Sequence, residues 1–224
     1  MKVVHVVGVD GARSAVGVVV VIDVLRAFTL SAYALAGGAR ECLLVRTVDE
    51  ARAVAGATPG AIISAEVDTL PVEGIPISNS PTQIVEADVR GHAVVQRTSA
   101  GTQAIRAVAG ADAMYAASLV VARATAQACL LRGPQTVTLV ASGDFPEDHA
   151  CARYIEALMR GENEDVPRLL EALISSDRYE KFVRGDWPGF PKSDLDLALA
   201  TDRFDFAMRA TKDERWVRLT SERA

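Results

Sequence analysis

The chain has 224 residues, enough for one substantial core or two tightly joined lobes. Half of the residues are hydrophobic and 5% are aromatic, which suits small-residue helices packed on sheets. The net charge is −5 and no block of Lys or Arg occurs, so a nucleic-acid partner is not suggested. No apolar stretch approaches the roughly 20 residues of a membrane helix, and the amino terminus is too short and strand-like for a signal peptide. We therefore expect a soluble, cytoplasmic protein with no membrane partner.

The first part of the chain alternates predicted strands and helices. Apolar runs predict strands at residues 3–7, 16–22, 42–45 and 61–64, and helices at residues 28–35 and 49–55. Residues 69–81 carry three prolines and one glycine, which predicts a loop. Pro81 then opens the next helix, because proline is tolerated in the first helical turn.

A second round of the same kind follows, with strands at residues 92–96 and 113–117 around a helix at residues 102–109. When Gly37 is aligned with Gly110, Thr29 also aligns with Thr102, and apolar positions match apolar positions. This register suggests an internal duplication of a strand–loop–helix–strand unit. Because the match is mostly apolar with apolar, two unrelated β/α units remain the alternative.

The last part of the chain predicts a helix at residues 119–131, a strand at 136–141 and a helix at 147–159. Beyond residue 161 we expect helices without strands, at residues 167–174, 178–183 and 195–200. The alternation of strands and helices predicts an α/β fold, a layered α/β/α arrangement with a mixed, largely parallel sheet. Residues 1–161 form the predicted core, and residues 162–224 a helical segment packed on it within a single unit.

The first candidate for chemistry lies at the end of the predicted second strand. A run of β-branched residues leads directly into Asp23 and Arg26, where a buried strand gives way to a helix. Open α/β sheets bind their ligands at the carboxyl ends of their strands. A charge buried there is costly unless it meets a partner, a metal or a substrate. A structural pairing of Asp23 with Arg26 is the alternative interpretation.

Five loops that follow predicted strands are rich in polar residues, and they would meet at one edge if the sheet is parallel there. Their hydroxyls, amides and free N–H groups suit a phosphate, two arginines could hold it, and the carboxylates suit Mg²⁺. The candidate residues are Asp23, Arg26, Glu66, Asn79, Ser80, Arg97, Thr98, Ser99, Gly101, Thr102, Glu147 and Asp148.

Two pairs of residues in this set have simpler explanations. Thr98 and Ser99 precede a predicted helix, where hydroxyl residues commonly cap the first turn. Glu147 and Asp148 lie in a first helical turn, where the helix dipole favours acids whatever the function. The combination of loops is therefore more informative than any single loop.

At these loops the chain resembles the 2-phosphosulfolactate phosphatase (ComB-type) family. The resemblance covers roughly residues 16–160, and order and spacing agree along that range. It is carried by DVLRA at residues 23–27, AEV at 65–67, SNSP at 78–81, RTSAGT at 97–102 and EDHACAR at 147–153.

The resemblance implies a Mg²⁺-dependent hydrolase that converts (R)-2-phospho-3-sulfolactate to 3-sulfolactate and phosphate, as in coenzyme M synthesis. It implies catalytic roles for Asp23, Arg26, Glu66, Glu147 and Asp148, with Asp23, Glu147 and Asp148 nearest the metal. The implied substrate-binding residues are Asn79, Ser80, Arg97, Thr98, Ser99, Gly101 and Thr102.

The chain departs from the family pattern at four positions. Val67 replaces an arginine, Ser78 a glycine, Ala100 an asparagine and Arg153 a glycine. The lost cation at Val67 bears on a doubly anionic substrate, so another small phosphorylated acid is a second candidate. The rival hypothesis is a degenerate relative that binds or senses a small anionic metabolite without hydrolysing it. The sequence leaves a homo-oligomer open.

Overall fold

The computed structural model describes residues 1–223, and ten strands among them form a single mixed sheet. In chain order the strands are β1 Lys2–Val7, β2 Val18–Ile22, β3 Glu41–Leu44, β4 Ile62–Val67, β5 Leu70–Pro71, β6 Ala93–Arg97, β7 Ala113–Ala117, β8 Thr136–Ala141, β9 Ala207–Lys212 and β10 Val217–Glu222. Across the sheet they are ordered β1-β8-β2-β7-β9-β10-β3-β6-β4-β5.

Helices cover both faces of this sheet. They are α1 Gly8–Arg13, α2 Ala27–Ala36, α3 Val48–Ala57, α4 Pro81–Glu86, α5 Gly101–Ala107, α6 Ala122–Leu131, α7 Pro146–Arg160, α8 Val166–Leu169, α9 Glu171–Ile174, α10 Asp177–Arg184 and α11 Ser193–Ala198. A 3₁₀ turn, Leu119–Val121, precedes α6.

Strand β2 explains the layering. All five of its residues are buried, and it pairs in parallel with β7 and β8. Val19 and Val21 pack into the core beneath α2 and α5, whereas Val18, Val20 and Ile22 pack into the opposite core, beneath α6 and α7. Because successive side chains of a strand point to opposite faces, a strand covered on both sides is apolar throughout. The predicted α/β fold with helices on both faces is confirmed.

The expectation of helices without strands beyond residue 161 is wrong. After the predicted helices, β9 and β10 form an antiparallel hairpin that lies in the middle of the sheet, between β7 and β3. Their charged side chains hide the strand pattern, since Arg209 and Arg218 are interspersed among buried apolar residues. One of these charges stacks on the core, with the Arg209 guanidinium 5.2 Å from the ring centroid of Tyr115. The alternation is that of an antiparallel strand with one polar side.

The hairpin makes the two parallel groups of strands run in opposite directions. Strands β1, β8, β2 and β7 form one group, β3, β6 and β4 form the other, and each antiparallel step through β9 and β10 reverses the direction. Sheets twist by roughly 20° per strand, so diagonally opposite corners of a wide sheet bend toward the same face. The loops after β2 and β6 meet despite the reversal, since a Cβ placed on Gly101 would lie 2.5 Å from Asp23 Oδ2.

The units β2–α2–β3 and β6–α5–β7 each cross the hairpin, with β2 and β7 on one side of it and β3 and β6 on the other. This arrangement is compatible with the predicted internal duplication and with two unrelated units, so the duplication stays a prediction. The division of the chain into residues 1–161 and 162–224 also stays a prediction, and its last residue lies outside the described range.

Three smaller differences concern short elements. Helix α1 and the two-residue strand β5 were not expected, and residues 167–174 form two short helices instead of one. Among residues 1–223, every helix is too short or too polar to cross a membrane.

Candidate active site

A cavity of about 310 Å³ lies where the ends of β2, β4 and β6 meet the segment from α10 to α11. Its volume is in the range of small-molecule sites. Six residues singled out from the loop sequences line it, namely Asp23, Arg26, Glu66, Asn79, Thr98 and Ser99. A second set of lining residues was not singled out from the sequence, namely Phe145, Arg178, Phe182, Trp187 and Phe190.

Asp23 follows the last residue of β2 and is 5% exposed. Its Oδ1 accepts a hydrogen bond from the Ala27 N–H at 3.0 Å, which fixes the carboxylate at the start of α2. A Cβ placed on Gly101 would lie 2.5 Å from Asp23 Oδ2, so only glycine allows α5 to approach this closely. Burial raises the pKa of Asp23, and the nearby charge of Glu66 raises it further.

Asp148 and Glu147 lie behind Asp23, in the first turn of α7. The carboxylate of Asp148 accepts hydrogen bonds from the Val24 N–H at 2.8 Å and the Ser142 hydroxyl at 3.2 Å. Burial raises the pKa of Asp148 well above its ordinary value, and the charge of Asp23 adds to the effect. Burial is also the main cause of the raised pKa of Glu147. We call Asp23, Glu147 and Asp148 the strand-end acids.

Glu147 has the least satisfied carboxylate of this group. Its side chain is fully buried, and within the described part of the chain neither carboxylate oxygen has a hydrogen-bond partner. A guanidinium nitrogen, Arg178 Nη2, lies 3.2 Å from Glu147 Oε1. An acid held this way in the interior is costly, which marks the place as a candidate for binding or catalysis.

Glu66 belongs to a different environment, at the end of β4. Its carboxylate accepts hydrogen bonds from the Ser99 N–H at 2.5 Å, the Thr69 N–H at 2.6 Å and the Ser99 hydroxyl at 3.1 Å. Ser99 Oγ in turn accepts from the Asp68 N–H at 2.9 Å. Glu66 therefore fastens the loop after β6 to the loop after β4. We call Glu66, Thr98 and Ser99 the Glu66 shelf.

Arg97 and Thr102 form hydrogen bonds to residues of the Glu66 shelf, and neither of them lines the cavity. The Arg97 guanidinium donates to the backbone carbonyl oxygens of Glu66 and Arg46, and also to Ser99 Oγ. The N–H of Thr98 donates to Thr102 Oγ1 at 3.0 Å, and the N–H of Thr102 donates to Thr98 Oγ1 at 3.2 Å. Some backbone N–H groups of this loop, which were expected to bind a phosphate, thus donate hydrogen bonds within the loop instead.

Arg26 faces the cavity but has a buried counter-ion that was not predicted. Its Nη1 donates to Asp194 Oδ2 at 2.8 Å and to the Gly189 carbonyl at 2.7 Å. Asp194, in α11, also accepts from the Ser80 hydroxyl at 2.8 Å. Ser80 therefore serves as the cap of α4 and as a link to Asp194, away from the cavity. Asn79 lines the cavity, and its Oδ1 accepts from Gln96 Nε2 at 3.3 Å.

Most of the second set of lining residues, which we call the second wall, comes from the C-terminal segment. The ring centroids of Phe182 and Phe190 lie 4.1 Å apart, and those of Phe182 and Trp187 lie 5.0 Å apart. The guanidinium carbon of Arg26 is 3.9 Å from the Phe190 centroid, and that of Arg178 is 4.0 Å from the Phe145 centroid. Three aromatic residues within nine positions of a chain that is only 5% aromatic were a usable sequence signal.

The strand-end acids fit a divalent cation in their chemistry. Within residues 1–223, no group of three His, Cys, Asp or Glu side chains converges on one point as a complete ligand set. Mg²⁺ is usually held by one or two carboxylates together with water and substrate phosphate, so such a set is not required. The unpartnered oxygens of Glu147 and the crowding of Asp148 and Asp23 suit a cation at this place.

Comparison with known proteins gives consistent results. Residues 7–210 match the model of a family described as 2-phosphosulpholactate phosphatase. A protein of Bacillus subtilis named "Probable 2-phosphosulfolactate phosphatase" is 32% identical over 200 residues, covering 87% of each chain. A protein of Symbiobacterium thermophilum with the same name is 34% identical over 171 residues, covering 74% of this chain and 73% of the relative.

Proposed function

Because the chain belongs to the 2-phosphosulpholactate phosphatase family, we propose that it hydrolyses 2-phospho-3-sulfolactate to 3-sulfolactate and inorganic phosphate with the help of Mg²⁺. In this reaction water attacks phosphorus, the ester P–O bond breaks, and the leaving alkoxide takes up a proton. The chain is thus a phosphoric monoester hydrolase, and its substrate is a small phosphorylated acid.

The observation that carries the proposal is the meeting of Asp23 with Thr98, Ser99 and Arg26 in one cavity of about 310 Å³. A carboxylate whose pKa is raised by burial can exchange a proton with water or a leaving oxygen. Hydroxyls and a guanidinium beside it can hold the oxygens of a phosphoryl group.

The charges that line the cavity support the proposal that a metal cation binds there. Three carboxylates, Asp23, Glu66 and Asp68, line the cavity with two guanidiniums, and each guanidinium already lies beside a buried acid. A substrate with several negative charges would be repelled unless a further cation were bound. Asp23 and Glu147 would hold that cation, with Asp148 orienting the backbone at Val24. Bound Mg²⁺ would neutralise the phosphoryl oxygens and lower the pKa of an attacking water.

The chain's own groups would divide the remaining work. Asp23 lines the cavity and would accept the proton of the attacking water through the carboxylate oxygen that does not hold the cation. Arg26 would hold phosphoryl oxygens while Asp194 fixes its position. The Glu66 shelf would orient Thr98 and Ser99 toward the phosphate. The aromatic rings of the second wall would exclude bulk water, which strengthens every charge interaction in the cavity.

The direct test is phosphate release from phosphosulfolactate by the full chain, with Mg²⁺ and with excess chelator. We expect turnover that requires Mg²⁺ and is lost in Asp23→Asn. The matched control is Asp10→Asn, because the Asp10 side chain is 92% exposed and does not line the cavity. Equal rates with and without chelator would refute the metal, and an active Asp23→Asn would refute the site.

One set of observations favours the sensor hypothesis as a second candidate. Val67, Ser78 and Ala100 depart from the family pattern, and Ala100 lines the cavity. A protein of this kind would be stabilised against heat by phosphosulfolactate or 3-sulfolactate without releasing phosphate over hours. Measured turnover would reject it.

A further inference from the structure

The two guanidiniums of the cavity differ in how well their charges are satisfied. Arg26 is hydrogen-bonded to Asp194 at 2.8 Å, and both side chains are almost fully buried. Arg178 Nη2 lies 3.2 Å from Glu147 Oε1. Among the described residues, neither carboxylate oxygen of Glu147 has a hydrogen-bond partner, and Arg178 Nε is likewise buried without one. Arg178 thus retains donor capacity that Arg26 has partly used.

The surroundings of Arg178 hold its guanidinium in place without neutralising it. Its carbon Cζ lies 4.0 Å from the ring centroid of Phe145, 5.0 Å from that of Phe182 and 5.8 Å from that of Trp187. Rings around a guanidinium favour the cation and leave its N–H edge free for an anion. All four side chains line the cavity that contains Asp23 and Thr98.

Glu147 is a weak counter-ion for Arg178. Both carboxylate oxygens of Glu147 are buried without a hydrogen-bond partner among the described residues, and the nearest guanidinium nitrogen, Arg178 Nη2, lies 3.2 Å from Oε1. An anion that enters the cavity with its own hydrogen-bonding oxygens would compete with Glu147 for the guanidinium of Arg178. The freed carboxylate would then be available to a cation.

We propose that Arg178 binds the second acidic group of the substrate, a carboxylate or sulfonate on the carbon skeleton, by displacing the side chain of Glu147. The proposal rests on the proposed phosphatase function for the identity of the substrate. It assigns to Arg178 the recognition of the anionic group of the substrate that is not the phosphate. Arg97 does not line the cavity and has no part in this step.

The test is calorimetric binding of 3-sulfolactate to the folded full chain. Arg178→Met keeps the apolar stem and removes the charge, and we expect it to weaken binding by about 10- to 100-fold, as for a lost charged hydrogen bond. The matched control is Arg184→Met on the same helix, where the arginine is 66% exposed and pairs with Glu180. The affinity of Arg184→Met for 3-sulfolactate should stay within about 2-fold of that of the wild type.

A second variant tests the displacement and does not depend on the folding of Arg178→Met. Glu147→Gln removes the competing charge with little change in shape, so 3-sulfolactate should bind at least about 3-fold more tightly. Unchanged binding in Arg178→Met would overturn the proposal, as would the absence of wild-type binding. Unchanged or weaker binding in Glu147→Gln would overturn the displacement.

Kinetics separate this proposal from the phosphatase function. Arg178→Met should raise KM for phosphosulfolactate by about 10- to 100-fold and leave KM for an aryl phosphate, which lacks the second anion, within about 2-fold. An equal loss with both substrates would overturn the proposal, because Arg178 would then act on the phosphoryl group. If the wild type hydrolyses neither substrate, the phosphatase function fails, and the calorimetric comparison still decides the role of Arg178.

Discussion

The strand-end acids and the Glu66 shelf each contribute one carboxylate to the lining of the same cavity, Asp23 and Glu66, but the two regions differ in hydrogen bonding. Glu66 accepts three hydrogen bonds from neighbouring loops. Glu147 accepts none within the described chain, and the strand-end acids all have raised pKa values because burial penalises their charges. A satisfied carboxylate stabilises a loop, whereas crowded and unsatisfied carboxylates are retained where a cation or substrate is to bind.

The largest effect should come from Asp23→Asn. We expect phosphate release to fall by at least about 1,000-fold, since the residue that exchanges protons in the cavity is lost. The free energy of unfolding at pH 8 should not fall, because the variant removes a buried charge. Rates and urea unfolding curves measured on the same preparation check both expectations. Lost activity that tracks lost stability would mean that Asp23 has a structural role only.

Gly101→Ala should disturb the same acid indirectly. The added Cβ would lie 2.5 Å from Asp23 Oδ2 and 2.9 Å from Ala27 Cβ, so the carboxylate must move. We expect about 10- to 100-fold lower turnover, since small displacements of a reacting group are costly. Gly56→Ala is the matched control, because a Cβ there would meet nothing within 4 Å. Full activity in Gly101→Ala would show that the position of Asp23 is not critical.

Compared with Asp23→Asn, Glu66→Gln should lower stability more and turnover less. The NH2 of the new amide cannot accept a hydrogen bond, so either the N–H of Ser99 or that of Thr69 loses its acceptor. We expect the free energy of unfolding to fall by about 1–3 kcal/mol and turnover to fall by about 10-fold through displacement of the shelf. Activity lost as fully as in Asp23→Asn, with stability intact, would make Glu66 a reacting group and end the distinction.

The smallest effect concerns pH. The native pKa of Asp23 is raised, so between its ordinary value of 3.8 and the raised value the folded chain binds more protons than the unfolded chain. The contribution of Asp23 to stability therefore falls as pH rises through this window. The stability of Asp23→Asn relative to the wild type should therefore increase over that range. A difference that is constant from pH 4 to pH 8 would contradict the raised pKa.

Much of the core was predictable because its physical causes are local. The run of five buried residues in β2 required helices on both faces, and the acid at its end required a partner or a ligand. The hairpin of β9 and β10 was missed because charged residues interrupt its apolar positions, and because its place in the sheet depends on contacts with β7 and β3. Such pairings between distant segments leave little trace in a local pattern.

The cavity was predictable only in part. Loops after strands pointed to Asp23, Thr98 and Ser99, which do line it. Arg178 and Asp194 were missed because they lie on short helices of mixed charge, where a functional side chain looks like a solvated one. The burial of Asp194 against Arg26 could be known only from packing, and removing Arg26 alone would leave that acid uncompensated, at a cost of about 3–5 kcal/mol.

Calorimetric titration of Mg²⁺ in the presence of inorganic phosphate tests the difference between the two regions most directly. We expect the wild type to bind Mg²⁺, Asp23→Asn and Glu147→Gln to weaken that binding by at least about 10-fold, and Glu66→Gln to leave it within about 2-fold. Equal weakening by Glu66→Gln, or undiminished binding in Asp23→Asn, would contradict the assignment of the strand-end acids as the metal site.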